Sequence, residues 1–229
     1  ACGTEAKLQV SVDRNGASID MPAGPSEVLV IADEHADPVF VAADLLSQAE
    51  HGVDSQVILL TPSKAMIEKA ASEVERQCAQ LPRREIAEKS LAQSRLILVD
   101  SLVQAVEVSN RYAPEHLIVQ VQDPHALLDS IESAGAVFLG ELAPESVGDY
   151  CSGSNHVLPT YGHARSYSGV SVASFQKQIT VQDVSADGLR AIGPCAATLA
   201  AAEQLEAHRR AVTLRLAALD ARETTEASP

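Results

Sequence analysis

Gln48 and His51, in the run Ser47-Gln48-Ala49-Glu50-His51-Gly52, stand three residues apart. Positions three apart share one face of a helix. There, a Gln carbonyl oxygen and a His nitrogen can ligate one cation, and a helix C-terminus favours positive charge. The plainer reading of the same pair is a helix-end histidine that caps carbonyls. A second pair, Glu115 and His116, lies in Ala113-Pro114-Glu115-His116-Leu117. A carboxylate and an imidazole together suit general acid–base work, because both tune towards neutral pH; a surface Glu beside a half-buried His is the alternative. In Gly148-Asp149-Tyr150 and Gly153-Ser154-Asn155-His156, Asp149 is a candidate oxygen ligand and His156 a candidate substrate contact, although Gly-Asp also serves turns. His208 stands on a C-terminal helical pattern, where a solvated position would explain it equally. Taken together, Gln48, His51, Asp149 and His208 form an N/O set suited to four-coordinate zinc with a substrate position left over.

The elements that must position these residues alternate between strand and helix patterns. Short apolar runs at 27–32, 56–60, 96–99, 117–121 and 136–139 read as buried parallel strands. Helical spacing is expected over 38–51 (with Gly52 closing it), 62–81, 101–111 (stopped by Pro114) and 124–133. The alternation predicts an α/β fold: a Rossmann-like but incomplete parallel sheet, helices on both faces. It carries no GxGxxG, so the dinucleotide fingerprint is absent. Glu115 and His116 are expected at a strand edge, where such sheets often place ligands. Residues 141–174 read as a long functional loop. A β-like stretch follows at 175–184, an alanine-rich helix at 193–219 and a disordered tail at 223–229. The expected organisation is a remnant of a preceding domain over 1–24, the α/β domain over 25–165, and a β/helical C-terminal arm over 166–229 that is exchanged in a dimer.

With 229 residues, 46% of them hydrophobic, the chain can bury a core. Its 17 basic and 31 acidic residues give a net charge of −14, which disfavours nucleic acid as a partner. No apolar stretch is long enough to span a bilayer. Cys2, Cys78, Cys151 and Cys195 form no CxxC pair and read as reduced, mostly buried thiols of a cytoplasmic protein. The opening Ala1–Lys7 reads as the continuation of a longer chain.

Several long segments, in one order, resemble the histidinol dehydrogenase family. They are Ile19–Leu29, Leu46–Gly52, Ala113–Leu117, Gly148–Tyr150, Gly153–Thr160, Ser168–Val172 and Glu203–Arg215. Members are about twice this length, so the resemblance implies a C-terminal half without most of the NAD⁺ site, and no cofactor-binding residue is assigned. The implied activity is oxidation of L-histidinol to L-histidine through the aldehyde, with two NAD⁺ reduced. Zinc ligands are implied at Gln48, His51, Asp149 and His208, and proton transfer at Glu115 and His116. Substrate contacts are implied at Ser26, His116, His156 and Glu203 besides the metal ligands. In the family, the residues matching Glu203 and His208 reach into the neighbouring subunit's site, which makes a homodimer part of the chemistry. Two alternatives stand beside this reading: a relative acting on another polar alcohol, such as a sulfonated diol, and a non-catalytic zinc-binding fragment.

Overall fold

In a computed structural model, residues 2–22 and 24–226 are described. They form two compact units, one running through Gln176 and the other starting at Lys177. The break falls about ten residues beyond the arm boundary expected at 165.

In the first unit the order is α1 (Cys2–Val12), β1 (Glu27–Ala32), α2 (Pro38–Ala49), β2 (Gln56–Thr61), α3 (Lys64–Cys78), α4 (Arg84–Ala92) and β3 (Arg95–Leu98). After these come α5 (Leu102–Tyr112), β4 (His116–Gln120), α6 (His125–Leu128), β5 (Ala136–Leu139) and α7 (Glu145–Tyr150). All five strands are parallel, in the order β3-β2-β1-β4-β5. This is the doubly wound, Rossmann-like arrangement, with β1 and β4 either side of the point where strand order reverses.

Burial explains the layers. Every residue of β1 and β4 is buried, as a strand covered on both faces requires. Val28, Val30, Val57, Leu59 and Ile118 pack beneath α2, α3 and α4 through Val41, Leu45, Met66 and Ala87. Leu29, Ile31, Ile58, Leu60, Leu117 and Val119 pack on the other face, against Ala105 and Val106 of α5. Side-chain caps set the helix starts: Asp37 accepts from Val39 N, Ser63 from Met66 N and Ser101 from Gln104 N.

Several expected elements change. The helix expected over 62–81 stops at Cys78, and the separate α4 follows it, buried only at Ala87 and Ser90. Its sparse apolar residues gave no strong period. The helix expected over 124–133 shrinks to four residues. The Asn110 side chain takes the N–H groups of Glu132 and Ser133 and donates to Ser130 O, offering this backbone partners outside a helix. Within the expected loop 141–174 lie α7 and two 3₁₀ turns at His163–Arg165 and Val172–Phe175. Residues 176–184 form no strand.

The second unit pairs α8 (Ala186–Ala202) with α9 (Glu206–Glu226) in place of a single helix over 193–219. Ser185 caps α8 through Gly188 N, well before Pro194. The break falls where Gln204 adopts φ 60°, a left-handed conformation that no helix interior allows. The tail expected to be disordered from 223 continues as helix through Glu226, and 227–229 lie outside the described residues. Among the described residues no helix is long and apolar enough to cross a membrane. Of the cysteines whose side chains are described, Cys78 is buried while Cys151 and Cys195 are exposed, against the expectation of mostly buried thiols; the side chain of Cys2 lies outside the described ones.

Candidate active site

Most, but not all, of the residues singled out by chemistry gather at the amino-terminal edge of the sheet. This is the edge opposite the carboxyl ends, where doubly wound sheets usually hold ligands. His116 opens β4 and pairs in register with Val28 of β1. Glu115 immediately precedes it. The turn that delivers them is tight: α5 ends at Tyr112, Ala113 takes a left-handed φ of 58°, and Pro114 follows. On the other side, Gly135 N donates to Pro114 O and Ala136 N to Glu115 O, each at 2.9 Å. A Cβ on Gly135 would stand 2.5 Å from Glu115 O, so this close backbone approach requires glycine.

The main chain of a single residue, Glu27, orients both members of the pair. Glu27 N donates to Glu115 Oε2 at 2.8 Å, and Glu27 O lies 3.0 Å from His116 Nδ1. A carbonyl only accepts, so Nδ1 carries the proton and Nε2 of the neutral ring keeps its lone pair. That nitrogen is buried without a hydrogen-bond partner, 3.6 Å from Asp149 Oδ1. Burial holds His116 below its ordinary pKa, against the pull of Glu27 O and Asp149. Burial also pushes the Glu115 carboxyl up to about 8; the Glu27 N–H opposes this rise, and the charges of Glu27, Asp149 and Glu145 add to it. The Glu27 carboxyl, raised by burial, accepts from Tyr161 N at 3.0 Å and fixes the loop above the pair.

Helix α2 runs back from the carboxyl ends of the strands, so its C-terminus reaches the same edge. Gln48 is fully buried there, with neither Oε1 nor Nε2 hydrogen-bonded. His51 lies one residue past the cap Glu50, outside the helix that was expected to include it. Its N–H bonds Gln48 O at 3.2 Å, which keeps the two residues together. Gly52 is not in the left-handed conformation expected of a closing glycine. Ser26 Oγ lies 3.3 Å from His51 Nδ1, and both line a cleft of about 650 Å³ with Lys7, Asp54 and Ser55. Asp149 sits on α7, which packs close to β5 because Gly148 has no side chain: a Cβ there would be 2.6 Å from the Phe138 ring.

The edge therefore brings together Ser26, Gln48, His51, Glu115, His116 and Asp149. His156 is exposed on the loop after α7. Glu203 caps α8 and His208 lies on α9, both exposed and both in the second unit. Among the described residues no three His, Cys, Asp or Glu side chains gather in metal-holding geometry. Within the first unit the expected ligands include only His51 and Asp149 of those types, with Gln48 adding an amide. A buried amide with both ends unpaired, beside an imidazole and a carboxylate, is still a donor set that suits a divalent cation.

Sequence reasoning missed three supporting acids. Asp44 is buried in α2, pushed up to about 7 by burial and by Glu145, and accepts from Gln120 Nε2 at 2.5 Å. Glu145, also buried and raised by that burial, accepts from Ser47 Oγ at 2.9 Å. Glu27 is the third. The available signal was charge out of place: an acid within an apolar helical run, and another heading an apolar strand.

The fold and edge together define a Rossmann-like α/β protein with a buried Glu115–His116 pair beside Gln48, His51 and Asp149. The histidinol dehydrogenase family profile matches residues 2–216. The chain is 59% identical over 219 residues to a histidinol dehydrogenase of Vibrio vulnificus, covering 96% of this chain and 51% of that relative. It is 60% identical over 213 residues to one of Aliivibrio fischeri, covering 93% and 48%. A crystal structure of histidinol dehydrogenase from Elizabethkingia anophelis superposes with a TM-score of 0.91 at 54% identity, over 95% of this chain and 50% of that one. The chain belongs to the histidinol dehydrogenase family, and spans about half the length of these relatives.

Proposed function

We propose that this chain carries the metal and proton-transfer centre of a zinc-dependent histidinol dehydrogenase, oxidising L-histidinol through the aldehyde to L-histidine with two NAD⁺ reduced. One observation carries the reading: His116 commits Nδ1–H to a main-chain carbonyl and leaves Nε2 unprotonated, buried and unpartnered beside Asp149. That is the state a general base needs.

Gln48, His51 and Asp149 would hold the ion, with His208 as fourth ligand, contributed from a partner subunit in a homodimer. When bound, the ion supplies a template that grips the substrate imidazole. His116 Nε2 takes the hydroxyl proton as the carbinol hydride leaves to the first NAD⁺, giving the aldehyde. Glu115, once ionised, takes a proton from water as its oxygen adds to the aldehyde carbon. The hydrated carbon then gives its hydride to the second NAD⁺, and the carboxylate forms with release of the remaining proton. Ser26, His156 and Glu203 are assigned to substrate contact; Glu203 suits the amine or imidazole of histidinol and favours it over a sulfonated diol. Oxidation of a dissolved amino alcohol by NAD⁺ accords with a cytoplasmic site of action.

The test measures NADH formation from histidinol by the protein as its gene encodes it. His116→Gln is expected to lower kcat roughly 10²- to 10⁴-fold with zinc content unchanged. Wild-type turnover by His116→Gln, or faster turnover on a sulfonated diol than on histidinol, overturns the reading.

A further inference from the structure

A glutamine that ligates a cation must present its oxygen, yet the two ends of its amide are nearly the same size. Only the hydrogen-bond partner of the NH₂ group distinguishes them. Gln48 is fully buried, and no normal hydrogen bond fixes either end. Asp44, one turn earlier on α2, is already engaged by Gln120 Nε2. Glu145 remains. That residue is 2% exposed, and its carboxylate accepts from Ser47 Oγ, the hydroxyl of the residue preceding Gln48, at 2.9 Å and from Ser146 Oγ at 3.3 Å. No basic side chain is among these partners. Both ends of the Gln48 amide are thus open, while the buried Glu145 carboxylate is tied to the hydroxyl of the residue next to it in the chain. Glu145 and Asp149 are four residues apart on α7 and so share a face. The wall that carries Asp149 also carries an acceptor.

We propose that Glu145 is a positioning residue for Gln48: it takes the Nε2 hydrogens, so that Oε1 is the end turned to the site. The proposal rests on Gln48 being a cation ligand, as read above. Ser47 braces the carboxylate at Oε2. Asp149 and Glu145 then divide the work of α7, one facing the ion and the other the amide behind it. Partners of this kind typically hold 10- to 100-fold in metal affinity.

The test measures zinc affinity, by competition with a chromogenic chelator, in the protein as its gene encodes it. The variants are Gln48→Ala, Glu145→Leu, Glu145→Gln and the double variant Gln48→Ala/Glu145→Leu. Glu145→Leu is expected to weaken zinc binding roughly 10- to 100-fold with NAD⁺ affinity unchanged. Glu145→Gln keeps one acceptor oxygen and recovers most of the loss. The double variant binds no more weakly than Gln48→Ala alone, because the two residues act as one unit. Should Glu145→Leu fail to fold, Ser47→Ala replaces it, with a loss on the order of five-fold for one hydrogen bond. Unchanged zinc affinity in Gln48→Ala overturns the metal reading and this proposal with it. A loss in Gln48→Ala with less than a two-fold change in Glu145→Leu (or in Ser47→Ala where it stands in), or fully additive effects, overturns this proposal alone.

Discussion

Asp44→Asn should make the protein more stable at pH 8 and leave it nearly unchanged at pH 4. Asp44 is 7% exposed, faces no cation, and has its carboxyl pushed from 3.8 to about 7 by burial and by Glu145. A carboxyl raised on folding binds its proton more tightly in the native chain than in the unfolded one. Below about pH 4 both forms are protonated and native stability is intact. As pH rises from about 4 to about 7 the unfolded chain ionises first, and stability falls by about 1.4 kcal/mol per pH unit. The full loss is about 4 kcal/mol, complete above pH 7. Asparagine keeps an acceptor for Gln120 Nε2 and has no charge to bury. Chemical denaturation of the wild type and variant at a series of pH values reads the difference, which isolates Asp44 from Glu115 and Glu145, whose carboxyls are raised in the same direction. A stability difference that does not change between pH 4 and pH 8 would refute the reasoning.

The remaining predictions concern the edge itself. Glu115→Gln should release the aldehyde or stall after one NADH per substrate, measured by product analysis; undiminished histidine formation would remove Glu115 from its role. With Glu115 as the proposed base, which acts ionised, the aldehyde-consuming step should quicken as pH rises through about 8, and a flat profile between pH 6 and pH 9 in stopped-flow with added aldehyde counts against it. Gly135→Ala should cost about 1–3 kcal/mol and lower turnover as well, since the added carbon would collide with Glu115 O; a thermal melt and an assay of the same preparation check both. Chelator treatment should abolish turnover and zinc should restore it, with His51→Ala failing to recover.

The strands were legible because β1, β2, β4 and β5 are near-continuous apolar runs between turns. Their parallel order followed from the alternation with helices. Less legible was anything decided by a distant side chain. Asn110 shortens α6 from a helix away, and a break at Gln204 divides what the alanine-rich pattern makes a single helix. The chemistry-bearing types at Gln48, Glu115, His116 and Asp149 were visible, and the family motifs marked them. Their support was not: that Glu27 clamps Glu115 and that Glu145 accepts from Ser47 depend on β1 and α7 arriving beside residues 88 and 98 positions away in sequence.

Because the clamp on Glu115 and His116 is made by the main-chain N–H and C=O of Glu27, changing the side chain at position 27 leaves it in place. It depends on strand alignment instead. If β4 slid by a single residue against β1, the Glu27 peptide would meet the wrong neighbours, and every side chain of the strand would turn to the opposite face. Alignment of the Glu115–His116 pair and hydrophobic burial therefore stand or fall together: a chain with this pairing wrong loses its core before it can accumulate as a folded species with the pair misplaced.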